Sequence, residues 1–158
     1  MIDYFQINPF VLSYNEYVYL AIGVGMLISL LYSETLGVMG GGVIVPGYFA
    51  LHLQDFLSVF ITFLIAALTY LFISMLSRYL LIYGRRRVIL SLLIAFLIGL
   101  IFRTNLSDSS SLDYIGFIIP GLIASWMDKQ GVLRTTSVVL IQSSLVHIIL
   151  MLIYKVYV

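Results

Sequence analysis

The stretch Gly42-Val43-Ile44-Val45-Pro46-Gly47-Tyr48-Phe49-Ala50 is written again as Gly116-Phe117-Ile118-Ile119-Pro120-Gly121-Leu122-Ile123-Ala124, 74 positions further on (120 minus 46). Five of the nine positions are identical, and the other four are apolar in both copies. Self-similarity of this kind predicts two halves built alike. A proline inside an apolar segment removes a backbone donor and clashes with the preceding turn, and the glycine that follows lets the chain bend. Each copy is therefore expected to be a broken or kinked helix. In lipid, backbone groups freed at such a break must be satisfied by protein or by a wet cavity. That makes Gly42, Pro46, Gly47, Gly116, Pro120 and Gly121 the expected functional centre.

The setting is a bilayer. Of the 158 residues 62% are hydrophobic and only 9% charged, against roughly 25% charged in a soluble domain, and the mean hydropathy is +1.12. An all-α integral membrane protein is expected, with 1–16 as an interfacial segment and 17–158 as one transmembrane domain whose halves cover about 17–84 and 88–158. The net charge of +1 gives no global electrostatic cue and no reason to expect nucleic acid. Having no cysteine, the chain can form neither a disulfide nor a thiolate site. The first apolar segment lacks a basic flank and a small-residue cleavage site, so it reads as an uncleaved span.

Uncharged runs mark about six hydrophobic segments, four to six of them full spans. Tyr17 to Ser33 is long enough to cross about 30 Å of hydrocarbon and ends at Glu34. The first Pro-Gly segment, Thr35 to Gln54, opens on Gly40-Gly41-Gly42, and Phe56 to Ser77 is the clearest span. After the basic cluster Arg85-Arg86-Arg87 comes a short span, Val88 to Phe102, then a polar loop from Thr104 to Ser111. The second Pro-Gly segment runs from Tyr114 to Met127 and stops at Asp128-Lys129-Gln130-Gly131; a final span covers Thr135 to Tyr154. If both Pro-Gly segments cross, the halves are inverted, and Arg85, Arg86, Arg87, Lys129 and Arg134 all face the cytoplasm. If they re-enter on one side, the halves are parallel and the charges divide. The positive-inside rule favours crossing.

Few residues can carry chemistry. Glu34 is a candidate polar site for a cation or an amine; its bland reading is an interfacial acid in water. His147, alone in mid-span, suits an interhelical hydrogen bond better than a metal, and His52 near a segment end says little. Arg85, Arg86 and Arg87 either set topology and touch anionic lipid, or dock an acidic polymer or a cytosolic partner through guanidinium forks. The glycine run is no phosphate loop, because Val43 stands where the lysine is needed. No metal site and no cofactor bound by this chain are expected. Two readings follow from the residues: a small transporter or pore for an anionic substrate with broken helices at its centre, or the membrane subunit of a larger synthase or export machine.

Gly23 to Leu51, then Ala67-Leu68-Thr69-Tyr70 with Leu81-Ile82-Tyr83-Gly84-Arg85-Arg86-Arg87, and Ile115 to Gly131 closely resemble the PgsC/CapC family, the membrane subunit of bacterial poly-γ-glutamate synthase. The resemblance begins near residue 17 and carries nothing onto the N-terminal stretch or the serine-rich loop at 107–111. It implies a place in the bacterial cell membrane and a role in making and secreting a polymer of glutamates joined through the side-chain carboxylate. It also implies two partners: a PgsB/CapB-like ATP-dependent amide ligase, on which ATP and a divalent metal are expected, and a PgsA/CapA-like membrane-anchored subunit. No catalytic residue is transferred by it. Several copies of so small a chain could share one polymer path as a homo-oligomer.

Overall fold

A computed structural model describes residues 14–79, 84–106, 116 and 118–157. The N-terminal interfacial stretch up to residue 13, Leu81 to Tyr83, and most of the polar loop after Leu106 lie outside them. The described residues form six helices and no strand: α1 (Tyr14–Leu36), α2 (Val45–His52), α3 (Phe56–Tyr79), α4 (Arg85–Leu106), α5 (Ile119–Gln130) and α6 (Val132–Tyr157). Three of them, over Glu16–Leu36, Phe56–Arg78 and Val132–Ile153, are long and apolar enough to cross a membrane. α4 begins on three arginines, which shortens its uncharged stretch to 88–102. At 1.5 Å per residue α2 is about 12 Å long and α5 about 18 Å, each near half of the hydrocarbon thickness.

The first Pro-Gly segment is broken as expected, but the break precedes the proline. Residues 37–44 are not helical, and Pro46 then sits in the first turn of α2 as Pro120 does in α5. There the missing N–H costs nothing, because first-turn donors have no intrahelical acceptor. The residues before the helices, Ile44 and Ile118, have nearly the same backbone angles, φ −90° and −91°, and neither start has a side-chain cap. Left-handed backbone at Gly41 and Gly42, with φ of 75° and 119°, makes the turn that releases the chain from α1.

Gly47 and Gly121 do not bend the chain; they let helices touch. A Cβ on Gly47 would lie 2.7 Å from the Ala21 carbonyl oxygen, and one on Gly121 would lie 2.9 Å from Leu92 Cα and 3.0 Å from the Ser91 oxygen. The facing helices present small residues four apart, Ala21 with Gly25 on α1 and Ser91 with Ala95 on α4. Such small-residue pairs bring backbones close in lipid, where apolar side chains gain little by meeting one another.

These contacts fix direction. The 37–53 segment runs back along α1: Gly42 lies near Ser29, whose hydroxyl donates to its carbonyl at 3.5 Å, Gly47 faces Ala21 and Gly25, and Leu51 and Leu53 pack in a cluster with Tyr17. In the same way α5 runs back along α4, from Gly121 against Ser91 to Asp128 against Arg87. Each short helix also packs on the long helix of the other half, α2 on α6 and α5 on α3. Where α2 and α5 meet, Val45, Phe49, Ile119 and Ile123 are buried together with Met127 and Val139. Phe49 stacks at a tilt on Phe63, 5.3 Å between ring centres.

Two boundaries move. α5 continues through Asp128, Lys129 and Gln130, and one residue, Gly131 at φ 92°, connects it to α6. Its N–H caps α5 by donating to the Met127 carbonyl at 2.9 Å. Arg134 therefore stands in the first turn of α6 rather than in a loop.

Gly47→Val and Gly121→Val are each expected to cost about 1–3 kcal/mol through forced helix separation and to lower the unfolding midpoint in detergent. Gly23→Ala, where a Cβ meets nothing within 4 Å, should leave it unchanged or raise it. Equal midpoints for all three proteins would refute the close-contact account.

Candidate functional site

Charge is divided between the two ends of the bundle. Arg78 closes α3, Arg85 to Arg87 open α4, Lys129 ends α5 and Arg134 begins α6. These are all of the chain's eight basic residues except Arg103 and Lys155, which lie near the far ends of α4 and α6. Arg85, Arg86, Lys129 and Arg134 are exposed, so four of the five residues expected to dock a polymer or a ligase have their charges in reach of one. Arg87 differs. Its Nη2 donates to Asp128 Oδ1 at 2.6 Å, in a pair only 29% and 18% exposed, and its Nε is buried with no acceptor. Lys129 Nζ rests 4.3 Å from the centre of the Trp126 ring, a cation–π contact worth about 0.5–1 kcal/mol at an exposed position.

Between α3, α4 and α5 at this end is a cavity of about 200 Å³, whose polar lining includes Arg87, Asp128, Lys129, Ser91 and Ser125. The sequence pattern does not join these groups. Asp128 stands 41 residues from Arg87, and the two serines sit inside uncharged runs where a small hydroxyl is unremarkable.

The glycine turn reaches the same end. Gln130 closes on Met39 with both ends of its amide: Oε1 accepts from the Met39 N–H at 3.4 Å, and Nε2 donates to the Met39 carbonyl. Further along, a Cβ on Gly40 would lie 2.5 Å from Gln142 Oε1 and 3.2 Å from the Val139 backbone. Gln142 has no exposed surface, and neither Nε2 nor Oε1 has a hydrogen-bond partner. Its uncharged side chain leaves no break in the apolar run, although it is the lone amide in the span from Thr135 to Tyr154. A polar group inside a membrane segment is costly, which makes it a functional candidate by default.

The other sequence candidates fall apart from this group. Pro46, Gly47, Pro120 and Gly121 are all buried, consumed by helix contact. Gly42 and Gly116 have left-handed backbone before the two short helices. Glu34 is exposed in the last turn of α1. His147 Nδ1 donates to the Ala50 carbonyl at 3.1 Å, which joins α6 to the end of α2 and satisfies an acceptor that the helix end leaves free. His52 Nδ1 bonds in turn to the Tyr48 carbonyl. Among the described residues no group of three or more His, Cys, Asp or Glu could hold a metal ion.

Replacing Gln142 by Met keeps its size and removes two polar atoms without partners, a burden of about 1–3 kcal/mol. The variant is expected to unfold at an equal or higher temperature in detergent. A clear fall in the midpoint would show that the amide is bonded after all.

Comparison with known proteins bears on this arrangement. No solved structure gives a significant match. Two curated relatives each align over 141 residues, 86% of this chain and 95% of their own length: the "PGA biosynthesis protein CapC" of Bacillus subtilis (strain 168), 30% identical, and the "Capsule biosynthesis protein CapC" of Bacillus anthracis, 29% identical. The family described as "Capsule biosynthesis CapC" matches residues 24–136, a range that holds both Pro-Gly segments, the arginine cluster, the cavity and Gln130. The chain belongs to the CapC family of capsule biosynthesis.

Proposed function

We propose that this chain is the multispan membrane subunit of a poly-γ-glutamate synthesis and export complex. It supports a PgsB/CapB-like, ATP-dependent amide ligase on the cytoplasmic side and the passage of the anionic polymer across the cell membrane, next to a PgsA/CapA-like anchored subunit. The observation that carries this reading is the gathering of six basic residues at one end of a CapC-family chain. A polyanion cannot enter hydrocarbon unaided, and a cationic rim raises its local concentration at the mouth of a path.

On this reading the chain crosses six times in two inverted halves. Three observations support the arrangement. The 37–53 segment runs back along α1 from Ser29 to Tyr17, α5 runs back along the first part of α4 from Ala95 to Arg87, and each short helix packs across on the long helix of the opposite half. The burial pattern repeats as well: Val45, Pro46, Gly47, Phe49 and Ala50 are buried, and so are Ile119, Pro120, Gly121, Ile123 and Ala124. With six crossings the arginine end faces the cytoplasm, the side that the charge bias favours. Among the described residues the α2–α5 contact is an apolar plug, so on this reading the path runs between copies or beside a partner.

A stand-alone anion transporter is the second reading, favoured by the uncapped half-helices that begin inside the bundle, an arrangement that transporters use for substrate. Reconstitution separates the two. Membranes holding the cognate ligase and the anchored subunit, given ATP and glutamate, should make or deliver polymer only when this chain is present. Arg85→Gln with Arg86→Gln, which spares the Arg87–Asp128 pair, should lower output roughly fivefold, the equivalent of about 1 kcal/mol of attraction from two exposed charges. Equal polymer without the chain, together with anion flux in vesicles that lack the ligase, would favour the transporter.

A further inference from the structure

The cavity at the basic end has the features of a carboxylate site that is half filled from within. Arg87 lies on its wall and uses one donor, Nη2, on one oxygen of Asp128. Nε lies on the same edge of the guanidinium and is buried with no acceptor. That edge is the planar fork that matches a carboxylate with two parallel hydrogen bonds. Asp128 takes one of the two, so it already acts as an internal carboxylate on the fork. Across the cavity Lys129 is free to leave the Trp126 ring, since a cation–π contact at an exposed position is weak. Ser125 adds a hydroxyl from α5, while the Ser91 hydroxyl on α4 is spent on the Val88 carbonyl at 2.7 Å, and Ile73 of α3 supplies an apolar side.

We infer that this cavity binds one free carboxylate of a γ-linked glutamyl unit on the Arg87 fork, in competition with Asp128. The assignment rests on the synthase reading for the identity of the unit and on the geometry for the class of ligand. Arginine, lysine and aspartate together leave one positive charge, which suits a carboxylate monoanion better than a phosphate dianion. A cavity of about 200 Å³ is smaller than the roughly 300–1,000 Å³ of pockets for drug-sized ligands. It takes one unit of a chain and not a nucleotide. A polymer linked through its side-chain carboxylates keeps one α-carboxylate free on every unit, so each unit can be held and handed on. Asp128 gives the release: it returns to the fork as the ligand leaves, and the arginine is never stranded without an anion.

The test is a titration of the full chain in nanodiscs of zwitterionic lipid with a γ-linked glutamate trimer, followed by calorimetry and by the fluorescence of Trp126, the sole tryptophan. Saturable binding with a change in Trp126 emission is expected, since the ligand draws Lys129 off the ring. Asp128→Asn removes the competitor and should tighten binding roughly threefold or more. Arg87→Gln combined with Asp128→Asn keeps the net charge and should weaken it at least tenfold, about 1.4 kcal/mol. Ser125→Ala is the milder second variant, expected to weaken binding a few-fold if the double variant does not fold. No saturable binding by the native chain, weaker binding by Asp128→Asn in a folded protein, or equal affinity for inorganic phosphate would overturn the site. Trimer binding in a system where polymer synthesis does not need the chain overturns the synthase reading and leaves the site standing. A need for the chain in synthesis without trimer binding overturns the site alone.

Discussion

Close backbone contact at Gly47 and Gly121 is the constraint on which the rest of the bundle depends. In water a short helix of eight or twelve residues can be held by burial of an apolar face; in lipid that force is absent, and packing contact must replace it. Ala21 with Gly25, and Ser91 with Ala95, offer flat strips against which a bare glycine can lie. The other faces of α2 and α5 meet in the cluster of Val45, Phe49, Ile119 and Ile123. The long helices α3 and α6 pack around them. The interior is thus set by what has been left off the side chains as much as by what fills the space.

Much of this was legible in the sequence, and the misses share a cause. The Pro-Gly motif announced that a smooth helix cannot run through these stretches, and both short helices do begin at their prolines, because proline acts on the backbone wherever it stands. The arginine cluster announced an end of the bundle, and a mid-span histidine announced a helix–helix hydrogen bond. What the one-dimensional pattern did not carry was pairing between distant positions. Asp128 looked like the terminator of a segment, yet it is the partner of Arg87 and sits within a helix. Gln142 carries no charge and so does not interrupt the uncharged run of the last span, although it is wholly buried against the glycine turn. The place of the break was also hidden. Residue types show that a helix cannot run smoothly through Pro46, but not that the turn at Gly41 and Gly42 ends the problem before the proline is reached.

The electrostatics of the basic end follow from the same economy of polar groups. An exposed arginine in water contributes little to stability; a half-buried one needs an anion, and here the fold supplies Asp128 from the neighbouring helix. The remaining cations stay outside, where they can attract without being committed. Trp126 holds Lys129 close to the cavity in a contact that is weak enough to be exchanged. One end of the protein therefore carries both a half-buried charge pair and a set of exposed charges.

Gly131 has a mechanical consequence. With one residue between α5 and α6 there is no slack, so α5 cannot shift along its axis without tilting the whole of α6. Gln130, next to this joint, grips the main chain of Met39, and Gln142, three turns down α6, presses on Gly40. The joint and its two amides form a short lever whose arms end on the same glycine turn. The rim of the bundle is in this way tied to the inner part of α6 through one stretch of main chain.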